Sequence, residues 1–184
     1  MKLENVDLLL KELRDTLYTV EDEQMEQLAK MIIDSPHVYV SGVGRSGLAA
    51  RAFAMRLVHL GLAAYVVGEI ATVSIQKGDL LIICSGSGET GSQVVMAQKA
   101  HKLGARIALV TIQPGSSIGG ISELEVFIKA PTPKLAANGM QSFQPMGSLF
   151  EQCTLLALDL LVVKLMRIMG VDETQMFARH ANLE

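Results

Sequence analysis

Two segments of the sequence combine glycine with hydroxyl side chains in a way that suits binding of an anion. One runs from Ser41 to Gly47 (SGVGRSG) and the other from Ser85 to Gly91 (SGSGETG). Each follows a short apolar run typical of a β-strand and precedes a stretch typical of a helix. Glycine lets the backbone approach a ligand closely, and the free N–H groups at a helix N-terminus favour a negative charge. The two segments therefore predict anion sites built from hydroxyl groups and backbone amides.

The first segment also matches a second pattern. Its spacing Gly42-x-Gly44-x-x-Gly47 satisfies the dinucleotide fingerprint. Glu69 follows at about the sequence separation expected for the acidic residue that binds the ribose. This interpretation leaves the second segment without a role. A P-loop does not fit, because Leu48 follows the last glycine where lysine is required. A nucleotide-binding protein thus remains one alternative, and a strand-to-helix turn without a ligand remains another.

The elements that must position these segments alternate between strand and helix. We predict helices over 3–18, 21–33, 48–60, 93–103 and 147–169, and strands over 37–41, 64–67, 79–84, 106–111 and 124–128. This alternation predicts an α/β fold with a parallel sheet. In the sheet order 2-1-3-4-5 the first and third strands are neighbours, so both segments would meet at the switch point. The aperiodic stretch 131–145 is predicted to be a functional loop or a lid.

Where the two segments meet, their hydroxyl groups and backbone amides would surround a site that suits a single phosphate group. The absence of a large basic cluster argues against a polyphosphate, and Arg45 could steer the anion or bind a sugar hydroxyl. Alternatively, Arg45 is a surface residue paired with Glu69 or Glu89. The proposed phosphate donors are the hydroxyls of Ser46, Ser85, Ser87 and Thr90 and the backbone amides of Gly47 and Gly88.

Composition restricts the class of protein further. The chain has 184 residues, a formal net charge of −3, 49% hydrophobic residues and only 19% charged residues. These values exclude a disordered chain and argue against a nucleic-acid binder that works by bulk charge. One domain is expected at this length. The low charge suggests that partner subunits cover some apolar surface.

The cysteines and histidines indicate neither a disulfide scaffold nor a metal site. Cys84 and Cys153 are not arranged as CxxC, which favours a reducing cytoplasm, and both are expected to be inert core residues. The four histidines lack metal-ligand spacing. The apolar run 153–169 is short and contains three charged residues, so no membrane span is expected. Residues 1–12 lack the apolar core of a signal peptide.

From Met31 onward the chain resembles the sugar isomerase (SIS) domain family. The resemblance rests on the two serine-rich segments, on the Phe150–Glu151 helix start and on the terminal run Arg179–Glu184 (RHANLE), which points to the branch that isomerises hexulose phosphates. It implies a three-layer α/β/α sandwich with a five-stranded parallel flavodoxin-like sheet of order 2-1-3-4-5. It also implies a homotetramer. From the length and the apolar spacing we expect one domain over 1–184, with N-terminal helices in 1–33.

The resemblance implies an activity as well. Members of this branch convert D-arabino-hex-3-ulose 6-phosphate to D-fructose 6-phosphate through a cis-enediolate, in the ribulose monophosphate route of formaldehyde fixation. No metal or other cofactor is implied, and no nucleic acid or membrane partner. A non-catalytic sugar-phosphate sensor with the same fold is the alternative. The substrate-binding positions carried over are Gly44, Arg45, Ser46, Gly47, Ser85, Ser87, Gly88, Glu89 and Thr90.

Three glutamates are candidates for the base, namely Glu69, Glu89 and Glu151. Glu151 begins an apolar helix, where desolvation would make a carboxylate a stronger base and the helix N-terminus would make it a weaker one. A first-turn glutamate could also merely complement the helix dipole. The resemblance selects Glu151 as the base. It further implies that the tail 171–184 brings His180 to a neighbouring subunit's site, where it could move protons between substrate oxygens, orient the enediolate or open a sugar ring. The alternative is a solvated histidine near the end of the chain without a role in the site.

Overall fold

The computed structural model describes residues 3–131 and 141–183. Five strands and six α-helices lie within these ranges. The strands are β1 (Val38–Gly42), β2 (Ala64–Val66), β3 (Leu80–Cys84), β4 (Arg106–Thr111) and β5 (Leu124–Phe127). The helices are α1 (Val6–Leu17), α2 (Asp22–Asp34), α3 (Gly44–His59), α4 (Gly91–Lys102), α5 (Ser148–Met169) and α6 (Glu173–Phe177).

The sheet is parallel throughout and has the order β2-β1-β3-β4-β5. This confirms the predicted α/β class and the strand order 2-1-3-4-5. Gly42, the last residue of β1, lies opposite Cys84, the last residue of β3. Because these two strands end in register, the glycine- and serine-rich segments that follow them begin side by side.

Helices cover both faces of the sheet. On one face α2, α3 and α5 bury a core that includes Val40 and Ile82, and on the other face α4 packs over Leu81 and Ile83. All five residues of β3 are buried, as expected for a strand covered on both faces. The result is the three-layer sandwich, with α1 packed against the outer side of α5. Within the described ranges, no helix combines the length and apolar character needed to cross a membrane.

One helix boundary and one additional helix differ from the sequence prediction. Helix α3 begins at Gly44 rather than at 48, so the glycine-rich segment itself forms the first helical turn. The tail also contains α6, which the sequence did not predict because five residues are too few to show a period. The side chain of Asp172 caps this helix through the N–H of Gln175 at 2.8 Å. Residues 132–140 of the predicted loop lie outside the described residues.

Candidate active site

A cavity of about 240 Å³ opens at the carboxyl ends of β1 and β3. Both serine-rich segments contribute to it, as the strand order requires. The first residues of α5 form a third wall, which includes Glu151, the base that the resemblance selects. The lining residues are Val43, Ser46, Cys84, Ser85, Gly86, Ser87, Thr90, Gln93, Met146, Gly147, Phe150 and Glu151.

The N-termini of three helices point towards this cavity. Lining residues come from the first turns of α3, α4 and α5, whose free N–H groups carry a partial positive charge. No lysine, arginine or histidine is among the lining residues in the described part of the chain. Helix ends and hydroxyl groups, rather than basic side chains, therefore provide the positive potential for an anion.

Two close backbone approaches explain why glycine occupies particular positions. A Cβ on Gly47 would lie 2.5 Å from the carbonyl oxygen of Gly42. Because this oxygen belongs to the backbone, it could not move aside as the end of a flexible side chain could. Gly88 has φ +61°, and a Cβ there would lie 1.9 Å from Oγ of Ser116. Glycine at these positions therefore lets each segment turn sharply from strand into helix.

The predicted hydroxyl donors line the cavity, and two of them also accept backbone N–H groups of their own segment. Ser85 Oγ accepts from the N–H of Gly88 at 3.2 Å, and Ser87 Oγ accepts from the N–H of Glu89 at 3.2 Å. Each of these serines still has its hydroxyl proton to donate. The hydroxyls of Ser46 and Thr90 have no hydrogen-bond partner among the described residues. All four hydroxyl side chains that we predicted as phosphate donors thus line one cavity.

The carboxylate of Glu151 lies at the edge of the cavity, paired with Arg45. Nε of Arg45 donates to Oε2 of Glu151 over 2.5 Å. The arginine side chain is 58% exposed and the glutamate only 20%. The structure therefore pairs Arg45 with Glu151 rather than with Glu69 or Glu89. This contact orients the carboxylate, because the guanidinium group presents its N–H groups in a fixed fork.

The other two candidate bases do not line the cavity. Glu69 forms an ion pair with Arg51 on the exposed side of α3. Glu89 accepts the N–H of Ser117 at 2.7 Å. The hydroxyl and the N–H of Ser117 hold the pKa of the Glu89 carboxyl below its usual range. Glu89 consequently ties the second segment to the loop that follows β4.

The predicted residue His180 lies far from Glu151 of the same chain. Its ring is 5.4 Å from the ring of His59 and 6.0 Å from that of Phe177, centroid to centroid. His59 ends α3, whereas Arg45, the partner of Glu151, begins it. A helix of 16 residues is about 24 Å long. One chain therefore places Glu151 and His180 at opposite ends of α3.

Cys84 contributes an inert thiol to the cavity. Burial raises the pKa of this thiol to about 12, which keeps it neutral and a poor nucleophile. Cys153 lies on the buried side of α5, where burial raises its thiol pKa to about 11, although a hydrogen bond with Thr16 acts in the other direction. Within residues 3–131 and 141–183, no group of three His, Cys, Asp or Glu side chains could hold a metal ion.

Sequence reasoning missed part of the lining, namely Gln93, Phe150 and Met146 as contact residues. A signal for Gln93 was present, because it follows Thr90 by three positions and residues at this spacing share one face of a helix. Only the resemblance, through Glu151, indicated the contribution of α5 to the lining, and no residue spacing did. That contribution depends on how the helix packs against α3, which the apolar period of α5 does not define.

A hydrogen-bonded clamp connects α1 to the segment that leads into the third wall. The carboxylate of Glu12 accepts the hydroxyl of Ser142 at 2.7 Å, the N–H of Phe143 at 3.0 Å and the side-chain amide of Gln144 at 3.2 Å. Burial acts to raise the pKa of Glu12, but these three hydrogen bonds outweigh it and lower that pKa. Glu12 therefore holds the chain just before Gly147, the N-cap residue of α5.

We expect Glu12→Ala to lower the free energy of unfolding by about 1–3 kcal/mol at pH 7, since hydrogen bonds to a charged group are lost. The folded-state pKa is depressed, so the clamp contributes fully above the unfolded pKa near 4.5 and is lost as pH falls through the folded pKa. The difference between wild type and Glu12→Ala should shrink accordingly between pH 7 and acid. Urea unfolding at several pH values measures it. Glu4→Ala, an exposed site on the same terminus, is the control, and an equal loss at all pH values would contradict the clamp.

Comparison with known proteins places the chain in a family. Residues 31–156 match the model of the SIS domain. The chain is 46% identical to a 3-hexulose-6-phosphate isomerase of Bacillus subtilis (strain 168) over 98% of both chains. It is 41% identical to an enzyme of the same name from Mycobacterium gastri, covering 98% of this chain and 90% of that one.

A solved structure supports the same grouping. It is that of a hypothetical protein from Methanococcus jannaschii, for which a function as 3-hexulose-6-phosphate isomerase has been inferred. The TM-score is 0.84 and the sequences are 34% identical, covering 99% of this chain and all of that one. The chain therefore belongs to the SIS domain family, and its full-length relatives there include the 3-hexulose-6-phosphate isomerases.

Proposed function

We propose that the chain is a sugar-phosphate isomerase that converts D-arabino-hex-3-ulose 6-phosphate to D-fructose 6-phosphate. One observation carries the proposal: a single cavity joins the four hydroxyl groups of Ser46, Ser85, Ser87 and Thr90 to the carboxylate of Glu151. The relatives named for this reaction match the chain over nearly its whole length. This activity would place the protein in the ribulose monophosphate route. Two buried, unpaired cysteines fit the reducing cytoplasm that we propose as its location.

The phosphate group is proposed to bind at the N-termini of α3 and α4. Ser46, Ser85, Ser87 and Thr90 would donate their hydroxyl protons to its oxygens, and the amide of Gly47 would add to the positive potential at the start of α3. The predicted amide of Gly88 is not available as a donor, because it already donates to the backbone oxygen and to Oγ of Ser85. Gly44 and Glu89 would shape the two segments. Binding at the phosphate end leaves the sugar carbons to extend towards α5. That direction brings the reacting carbons to Glu151, on the opposite wall.

Glu151 is proposed to move the proton between carbons. The carboxylate removes the proton from C2, the C2–H electron pair forms the C2–C3 double bond, and the charge passes to O3. The proton on O2 passes to O3, and Glu151 returns its proton to C3, which leaves the carbonyl at C2. One carboxylate on one face of the substrate suffices for this cis-enediolate route. Arg45 would orient the carboxylate and contact a sugar hydroxyl.

The histidine of this site is proposed to come from another subunit. His180 cannot reach Glu151 of its own chain, because α3 separates them. Exposed apolar side chains on α3 and α5, such as Leu48 at 63% and Leu160 at 61%, offer surface for association. We propose a homotetramer in which the tail 171–184 of one chain approaches the cavity of a neighbour. There His180 would assist the transfer between O2 and O3.

Mixing two inactive variants tests this arrangement. His180→Ala and Glu151→Gln are each expected to be weakly active, but chains mixed during refolding should regain activity. With random pairing, about one quarter of the sites would combine an intact Glu151 with an intact His180. The measurement is turnover before and after mixing, with oligomeric state followed by light scattering. If the mixed oligomers have exchanged chains and turnover is still not recovered, a site shared between subunits is contradicted.

The activity itself is tested by supplying D-arabino-hex-3-ulose 6-phosphate and coupling the fructose 6-phosphate formed to NADPH production. Added glucose-6-phosphate isomerase and dehydrogenase provide the coupling. We expect turnover that persists in EDTA, since the proposed step needs only a carboxylate. Thermal shift with fructose 6-phosphate runs in parallel, because a ligand that binds the folded state raises its melting temperature. Stabilisation without any turnover would instead indicate a sugar-phosphate sensor.

A further inference from the structure

The side chain of Gln93 is buried beneath the cavity and connects two of its walls. The residue lies in the first turn of α4 and is only 4% exposed. Its Oε1 accepts the hydroxyl of Ser41, the next-to-last residue of β1, over 2.8 Å. Ser41 is itself 6% exposed. Gln93 therefore connects α4 to the end of β1, where the first serine-rich segment begins, and lines the cavity.

This hydrogen bond determines which end of the Gln93 amide faces the ligand. The hydroxyl of Ser41 uses its proton on Oε1, so the Nε2 group is the end left to face the cavity. In the described part of the chain, Nε2 has no hydrogen-bond partner. This atom is not among the fully buried unpaired side-chain atoms of the described residues, so it keeps contact with the space inside the cavity. A buried amide held in this orientation is therefore suited to donate to a bound molecule.

We propose that Gln93 is a further phosphate-binding residue, with Nε2 donating to a phosphate oxygen. Gln93 lies one helical turn after Thr90, on the wall that carries the hydroxyl donors. Glu151 lies on the other wall, provided by α5. The amide therefore contacts the phosphate end rather than the carbons that exchange a proton. Ser41 acts as a positioning residue, because it sets the orientation of the amide.

A neutral hydrogen-bond donor at this position is consistent with a cavity whose described lining residues carry no basic side chain. The lining residues in the described ranges include no basic side chain, so the phosphate depends on oriented dipoles. An amide adds a donor whose direction is set by a second hydrogen bond and which needs no counter-ion. The proposal concerns the phosphate monoester as a chemical class. The identity of the sugar attached to it rests on the proposed function.

The test compares Gln93→Leu, Gln93→Glu and Ser41→Ala with wild type, using inorganic phosphate and fructose 6-phosphate as probes. We expect Gln93→Leu to weaken the binding of both by about 10- to 100-fold, as for a hydrogen bond to a charged group. Gln93→Glu places a carboxylate beside the anion and should weaken binding further. Ser41→Ala leaves the amide unguided and should have a smaller effect. Gln98→Leu, at an exposed position of the same helix, is the matched control.

Kinetics distinguish phosphate binding from a structural role. A group that contacts only the phosphate binds ground state and transition state alike, so KM should rise while kcat stays within about twofold. Unchanged phosphate affinity in Gln93→Glu would overturn the proposal, as would a fall in kcat without a change in KM. If Gln93→Leu does not fold, the other two variants decide. If the wild-type protein binds phosphate through Gln93 and yet does not convert the hexulose phosphate, that result supports this inference and contradicts the proposed isomerase activity.

Discussion

Glu151→Gln is expected to lower kcat for the hexulose-phosphate reaction by about 10²- to 10⁴-fold, the usual contribution of a general base. The variant keeps nearly the same volume and still offers an oxygen to Nε of Arg45. It cannot accept a proton from carbon at neutral pH. Phosphate binding should be unchanged, because the hydroxyl donors lie on the opposite wall. The measurements are steady-state turnover and the thermal shift produced by inorganic phosphate.

A matched glutamate controls for the change of charge. Glu69 pairs with Arg51 on the exposed surface, as Glu151 pairs with Arg45, but it does not line the cavity. Glu69→Gln should therefore keep kcat within about twofold of wild type. Turnover above about one tenth of wild type in Glu151→Gln would show that this residue is not the base. Equal losses in both variants would point to net charge rather than to proton transfer.

Gly47→Ala is expected to reduce both stability and activity, although alanine is the better helix former. The added Cβ would lie 2.5 Å from the carbonyl oxygen of Gly42, and backbone atoms cannot move aside as a flexible side chain could. Overpacking costs about 1–3 kcal/mol, and a Cβ only 2.5 Å from a backbone oxygen puts Gly47→Ala towards the upper end of that range, above the gain of about 1 kcal/mol in helix propensity. Any shift of α3 also displaces Ser46. A displacement of about 1 Å can lower the rate by about 10²-fold.

Gly91→Ala separates helix propensity from steric conflict. Gly91 also occupies the first turn of a helix, but a Cβ there would have no neighbour within 4 Å. This variant should be as stable as wild type or slightly more stable, with normal phosphate binding. Urea unfolding and phosphate-induced thermal shift measure both variants. If Gly47→Ala matched Gly91→Ala in both measurements, the tight approach between Gly42 and Gly47 would not control the site.

The amino-acid sequence by itself determined the layers of the fold and one half of the site. Alternating apolar strands and helices predicted the parallel sheet, and the order 2-1-3-4-5 is confirmed. The segments 41–47 and 85–91 could be recognised because their chemistry is local: glycine, serine and threonine at the junction of a strand and a helix. Since parallel strands end at one edge, the meeting of these segments followed from topology.

Only the tertiary structure decided how the remaining groups meet. It paired Arg45 with Glu151, 106 positions apart, and Ser41 with Gln93, 52 positions apart. It also tied Glu12 to the segment before α5 and put His180 at the far end of α3. Each of these side chains has several rotamers of similar energy in isolation. Which rotamer is occupied depends on the packing of neighbouring helices, and a helical or strand period carries no information about that packing.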